Sequence, residues 1–479
     1  MSVVENKEFV SAVKWSTIAE VSAKLISPIT SMVLARLLTP DAFGLVASIT
    51  IVISFCDLFT DIGCNKYIIQ HQFPSDSNLY KVATVAFWSN LCISSVLWFL
   101  ILFFDSYIAY FLNIQGYEFA IVIAAFSLFM TSFSSVQVSL MRKEMDFKDI
   151  FKIRILVVLF TLVISISLAY LKFGFWAIIL GNLFRDVLYA VLFTYISKWK
   201  PEFHFDFFEF KDMMAFGFSS FLENLFTWFK SNISVLILSS SLSSYFLGLY
   251  KTPITIDNSI LGLLYSSLIP VLYSALSRVS SQIDEFQNVL FRLQRLMAMV
   301  AFPIGMILLV FNDVVTKFFL GGQWMSIAWF VGLYGCSVVV ENVFCIFCIE
   351  AYRAAGKPKF SAITVGINAF IIGISVYAVR KMSFDIVCYV TVANSFVYLF
   401  IQKIFLKKVL NIPAFDMLKN IGPFALVSIL LGAVSYAFSS VCVCMISRVL
   451  LIIIVSSIYM VILFRFKTVK EDLLQYIKK

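Results

Sequence analysis

Fourteen apolar runs of 19–27 residues, joined mostly by short connections, leave this chain little choice but to lie within a bilayer. They fall near 13–34, 42–63, 82–104, 118–140, 152–171, 175–196, 213–237, 247–273, 294–316, 326–349, 360–379, 384–402, 420–439 and 446–464. A membrane-crossing helix needs about 20 mostly apolar residues. In hydrocarbon each backbone N–H and C=O must find a partner without water, which selects helices over open sheets. A soluble fold is excluded because 61% of the 479 residues are hydrophobic and 14% charged, with mean hydropathy +0.93. The expected class is an all-α polytopic membrane protein of about 14 transmembrane helices. Gaps of a few residues leave no room for a globular domain between them. The first run is preceded by Glu5, Lys7 and Glu8 and carries its own charges, so it reads as a retained helix and not a cleaved leader.

Basic residues fix the sidedness, because cytoplasmic connections carry an excess of Lys and Arg. With both termini inside, inner segments hold 27 of the 37 basic residues and outer segments hold 6. The densest inner stretch contains Arg142, Lys143, Lys148, Lys152 and Arg154. That imbalance supports an even number of spans. It also explains the net charge of +9 without a nucleic-acid partner.

A polar stripe occurs twice. Ser16, Glu20, Lys24, Ser27 and Ser31 share one helix face, as do Ser220, Glu223, Thr227, Ser231 and Ser234, with Lys230 beside them. Sliding the chain by 204 residues lays Ser16, Ser27, Ile29, Leu34, Leu38, Gly44 and Leu45 on Ser220, Ser231, Ile233, Leu238, Leu242, Gly248 and Leu249. The expectation is a parallel repeat of two six-helix lobes, 1–200 and 201–410, with 411–479 as two appended helices and an inner tail. Two such lobes can rock to give alternating access.

Charges within spans are costly and usually face a bundle interior or a water-filled cavity. Glu20 and Lys24 stand at i,i+4 and can pair. Glu223 and Lys230 are two turns apart. Arg185 and Asp186 lie in the sixth run, and Lys251, with Asp257 further along, in the eighth. One reading is a cavity in which Lys24, Lys230, Lys251 and Arg185 meet a phosphate or pyrophosphate, balanced by Glu20 and Glu223. The other is that these charges pair with one another inside the bundle. Asp57, Asp61, Asp257 and Glu341 are the candidates for carrying a coupling H⁺ or Na⁺, with Asp61 near the inner end of its helix. Two basic inner turns, around Arg142 and Arg278, are candidate gates. Cys345 and Cys348 form a C-x-x-C inside an apolar run, with no second pair or nearby His, and read as packing residues, not a metal site. No metal or cofactor is expected.

The chain resembles the Wzx-type polysaccharide flippases of the multidrug/oligosaccharidyl-lipid/polysaccharide exporter superfamily. The resemblance rests on Lys14-Trp15-Ser16, on the segment from Ala35 and Arg36 through Pro40, Phe43 and Gly44 to Leu45, and on Asp61-Ile62-Gly63. It extends to Met141-Arg142, to Pro270 through Arg278, and to Ala354-Ala355-Gly356-Lys357-Pro358. It covers nearly the whole chain, most convincingly 10–410, and the A-R-x-L-x-P-x-x-F/Y-G pattern is its most specific part.

The resemblance implies two six-helix lobes in a V shape and a multi-pass protein of the bacterial inner membrane. It implies the flipping of undecaprenyl-pyrophosphate-linked oligosaccharide repeat units for lipopolysaccharide or exopolysaccharide synthesis. Its cavity would be cationic, with Lys24 and Lys230 lining it and Arg36 at its outer mouth. The expected partners are that lipid-linked oligosaccharide, membrane lipids, and the polysaccharide polymerase and chain-length machinery. The alternative on the same fold is an H⁺- or Na⁺-coupled exporter of drugs or other small molecules. A membrane enzyme would need a large polar outer loop. The longest outer segments, near 105–117 and 311–325, are short and mostly apolar, so no catalytic residues are expected.

Overall fold

The computed structural model describes residues 26, 28–60, 63–439, 445–463 and 465, and these residues form helices with no strand. In chain order the helices are α1 (Pro28–Leu37), α2 (Pro40–Thr60), α3 (Cys64–Gln70), α4 (Asp76–Phe111), α5 (Glu118–Ala125), α6 (Ser127–Lys143), α7 (Phe147–Tyr170), α8 (Trp176–Ile196) and α9 (Phe207–Ser239). They continue as α10 (Ser244–Arg278), α11 (Ile283–Val310), α12 (Asn312–Phe319), α13 (Ala328–Ala354), α14 (Pro358–Val379), α15 (Phe384–Leu410), α16 (Ala414–Ser439) and α17 (Met445–Leu463). A short 3₁₀ helix, Gly322–Ile327, leads into α13.

Among the described residues, 11 helices are long and apolar enough to cross a membrane, and Pro28–Leu37 and Ser447–Leu463 are shorter apolar helices. The expected run 213–237 lies in α9, which is 33 residues long but outside that apolar group. Glu209, Lys211, Asp212, Glu223 and Lys230 dilute its hydropathy. The helix starts carry local signals. Ser75 accepts from Asn78 N at 3.3 Å to begin α4, and Asp206 accepts from Phe208 N at 2.7 Å to begin α9. A side-chain oxygen at this position satisfies an N–H left open in the first turn.

The chain divides into two compact units, Met1–Lys251 and Thr252–Lys479, with the division falling inside α10. In the first unit α9 packs on α2. Trp228 Nε1 donates to Ser54 Oγ at 3.0 Å, and the Trp228 ring lies 4.9 Å from that of Phe55. Gly63 takes a left-handed conformation (φ 87°) between α2 and α3, and a Cβ there would stand 2.2 Å from Gly217 Cα. Glycine alone suits that backbone.

The starts of α2 and α10, matched by the 204-residue offset, meet directly. α2 begins at Pro40 and α10 at Ser244, 204 residues apart. A Cβ on Gly44 would lie 1.7 Å from Ser244 O, and one on Gly248 would lie 1.9 Å from Pro40 O. The contact is reciprocal: each glycine leaves room for the backbone at the start of the other helix.

The second unit has its core where α10, α11, α13 and α16 bury Leu261, Leu290, Ala298, Val343, Tyr352 and Phe424. Cys345 and Cys348 are buried in that core. Polar links run through it: Gln294 Nε2 donates to Val343 O at 3.2 Å, and Gln402 Nε2 to Thr364 Oγ1 at 3.1 Å. Arg448 of α17 pairs with Asp313 of α12. Such links replace the water that buried polar groups lose.

Candidate functional site

In the first unit, α1, α2, α7 and α8 line an open chamber of about 670 Å³. α7 presents Arg154, Val158, Thr161 and Ser165 at helical spacing, and α8 presents Ile178, Asn182, Arg185, Asp186 and Tyr189. Thr30, Ser31 and Leu34 of α1 and Phe43 of α2 complete the lining. α7 and α8 approach closely because position 181 is glycine. A Cβ there would lie 1.9 Å from Ser165 Oγ.

The two arginines differ in their commitments. Arg185 is held by Asp186, with Nε to Oδ1 at 2.9 Å and Nη2 to Oδ2 at 3.3 Å, and its Nη1 reaches Asn182 Oδ1 at 3.3 Å. Asp57 of α2 also acts electrostatically on Arg185. Arg154, two turns into α7, makes no hydrogen bond or ion pair among the described residues. Both arginines act electrostatically on Tyr189. The chamber therefore offers one guanidinium fixed in a paired fork and one uncommitted guanidinium, set among hydroxyl and amide groups.

The second unit holds a different kind of site. Asp257 of α10 is 0% exposed, and neither carboxyl oxygen has a hydrogen-bond partner among the described residues. Gly335 of α13 faces it, where a Cβ would stand 3.4 Å from Asp257 Oδ1 and 2.6 Å from Leu308 Cδ1. A buried carboxylate without a partner is strongly unfavourable. The setting suits a group that takes up a proton or a cation.

The remaining expected residues are distributed as follows. Glu20, Lys24 and Asp61 lie outside the described residues. Lys230, Glu223 and Lys251 are half-buried and engaged by other groups, and none of them lines the chamber. Arg36 is exposed in the last turn of α1. Asp57 is exposed at its side chain and accepts from Thr60 Oγ1 at 3.1 Å. Glu341 is half-buried and engaged. Arg142 and Arg278 sit in the last turns of α6 and α10, with the turns opening just beyond them. Beside Arg142, Lys143 Nζ donates to Ile68 O at 2.9 Å and His71 O at 2.6 Å. That cation closes the C-terminal end of α3, where carbonyls point outward.

In the sequence Arg154 is one of five cations in the densest basic inner stretch, and the fold places it in the chamber. The signal was present, since Arg154, Thr161 and Ser165 share a face of the fifth run.

The model of the polysaccharide biosynthesis protein family matches residues 33–329. The chain is similar to the lipopolysaccharide biosynthesis protein WzxC of Escherichia coli (strain K12), 24% identical over 357 residues, covering 73% of this chain and 68% of that protein. It is 20% identical over 326 residues to an uncharacterized membrane protein in the cps region of Klebsiella pneumoniae, covering 66% of this chain and 65% of that one. The chain thus spans about two thirds of the length of these curated relatives. Its fold is similar to that of the lipid II flippase MurJ in an inward closed conformation, with a TM-score of 0.74 at 15% identity, covering 94% of this chain and 98% of that one.

Proposed function

The chain belongs to the polysaccharide biosynthesis protein family, and from that membership we propose that it flips undecaprenyl-pyrophosphate-linked oligosaccharide repeat units across the bacterial inner membrane. The observation that carries this reading is the chamber of the first unit, which sets Arg154, the Arg185–Asp186 pair and several hydroxyl groups inside a bundle of apolar helices. A lipid-linked oligosaccharide has an apolar tail that stays in the bilayer and a polar, anionic head that must not touch it. A chamber lined by guanidinium, hydroxyl and amide groups offers that head a polar path. The names of the relatives, a lipopolysaccharide biosynthesis protein and a lipid II flippase, point the same way.

In this reading two six-helix lobes, 1–200 and 201–410, alternate access to the two leaflets, both termini face the cytoplasm, and helices beyond 410 are an appendage. Lys24, Lys230, Lys251 and Arg36 extend the cationic path, and polymerase and chain-length proteins receive the product. Asp257 takes the coupling H⁺ or Na⁺, because burial without a partner makes its occupancy sensitive to any opening of α10 from α13.

The test is surface polymer in a deletion strain of the native host. Deletion is expected to abolish polymer and to accumulate lipid-linked repeat units on the inner leaflet. Wild type restores polymer, and Arg185→Ala, expressed and inserted normally, restores less than a tenth of it. Normal polymer in the deletion strain rejects the reading and turns attention to small-molecule efflux.

A further inference from the structure

The structure points to the class of sugar handled. Resting on the flipping reading above, we infer that the first-unit chamber binds a sugar bearing a single carboxylate, with Arg154 as the residue that reads the charge. Several features support one negative charge. Arg185 is already paired with Asp186 and bonded to Asn182, so its charge is offset within the lining. Arg154 has no hydrogen bond or ion pair among the described residues. A guanidinium matches a carboxylate through two parallel N–H···O bonds, and Lys does not reproduce that fork.

A pyrophosphate carries more than one charge and would need more than one free cation. Asp186 within the chamber, and Asp57 acting on Arg185 from α2, disfavour a multiply charged group. The rest of the lining suits a glycan ring. Thr30, Ser31, Thr161 and Asn182 provide donors and acceptors for sugar hydroxyls, while Leu34 and Phe43 offer apolar faces to its C–H surfaces. The volume of about 670 Å³ lies within the common range of ligand pockets, roughly 300–1,000 Å³.

The shared chemistry is an oxyanion that a guanidinium can grip, and a carboxylate sugar and a phosphate are its two sources. Full-length protein, purified in lipid nanodiscs, is titrated with D-glucuronate, D-glucose or inorganic phosphate at constant ionic strength, and ligand-induced stabilisation is read from thermal unfolding. Glucuronate is expected to stabilise the wild type at concentrations at least tenfold below those needed for glucose or phosphate. Arg154→Gln removes that preference and brings glucuronate to the level of glucose. Arg154→Lys, which keeps the charge but loses the fork, recovers only part of it.

Equal responses to glucuronate in wild type and Arg154→Gln overturn the assignment, as does phosphate matching glucuronate or no response to any ligand. Loss of folding in Arg154→Gln would show as a lowered midpoint without ligand, and Arg154→Lys then decides. The binding experiment needs no transport. If glucuronate fails while the deletion strain still accumulates lipid-linked repeat units, the sugar assignment falls and flipping stands. If glucuronate binds but the deletion strain makes normal polymer, the reverse holds.

Discussion

Gly44→Ala is expected to lower the thermal unfolding midpoint of the purified protein clearly, and Gly44→Leu to prevent its stable accumulation in membranes. The reason lies in what the new side chain meets. A Cβ at position 44 would stand 1.7 Å from Ser244 O and 2.8 Å from Gly248 N. Both are backbone atoms of α10, so no rotamer change relieves the clash and α2 must move away. Overpacking in a well-packed region costs about 1–3 kcal/mol, and a clash with fixed backbone belongs at the upper end. The reciprocal contact adds a sharper expectation. Gly248→Ala meets Pro40 O at 1.9 Å, so it should cost about as much. Once one Cβ has forced the helices apart, the second meets a gap already opened. The double variant should therefore fall well short of the sum of the two single effects, as expected for residues sharing one contact. Unfolding in detergent reports all three, and unchanged midpoints for both single variants would reject the crossing.

The second large effect separates stability from activity. Asp257→Leu should raise the unfolding midpoint while reducing polymer delivery in the deletion strain to background. Leucine branches where aspartate does, so the site keeps its shape while two polar atoms without partners are removed. Leaving a buried polar group unsatisfied costs about 1–3 kcal/mol, and its replacement by an apolar group should recover a gain of that order. Asp257→Asn should also lose transport but show no such gain, since its amide is equally unpartnered. Gains in stability with losses in activity mark a position kept for function. A destabilised Asp257→Leu, or one with full transport, argues against an ion-binding role.

Much of the architecture was legible in the chain. The run at 175–196 corresponds to α8 (Trp176–Ile196), and 42–63 to α2 (Pro40–Thr60). Other helices extend well past their apolar runs. α15 continues from 402 to Leu410 and α4 begins at Asp76, because helical hydrogen bonds persist into polar sequence where hydropathy no longer reports them. Gly44 and Gly248, which stand 204 residues apart in the chain, lie against the first turns of each other's helices. The functional candidates were less legible. Asp57, Asp257 and Glu341 looked alike in sequence, yet only Asp257 is wholly buried with both oxygens unpartnered. Arg154 read as one more basic residue near a helix start until the fold set it beside Asn182, Arg185 and Tyr189.

The sequence by itself determined that this chain crosses a membrane as helices, where most of those helices run, and which residues are expensive to hold there. These are properties of local windows, since transfer free energy sums over neighbouring residues and needs no knowledge of distant ones. Only the tertiary structure decided which faces of α7 and α8 turn together to form a chamber, which arginine is already paired, and which acid is left alone. Those outcomes depend on the rotation and approach of helices far apart in the chain. A glycine at position 181 or 335 allows an approach that its apolar neighbours give no sign of.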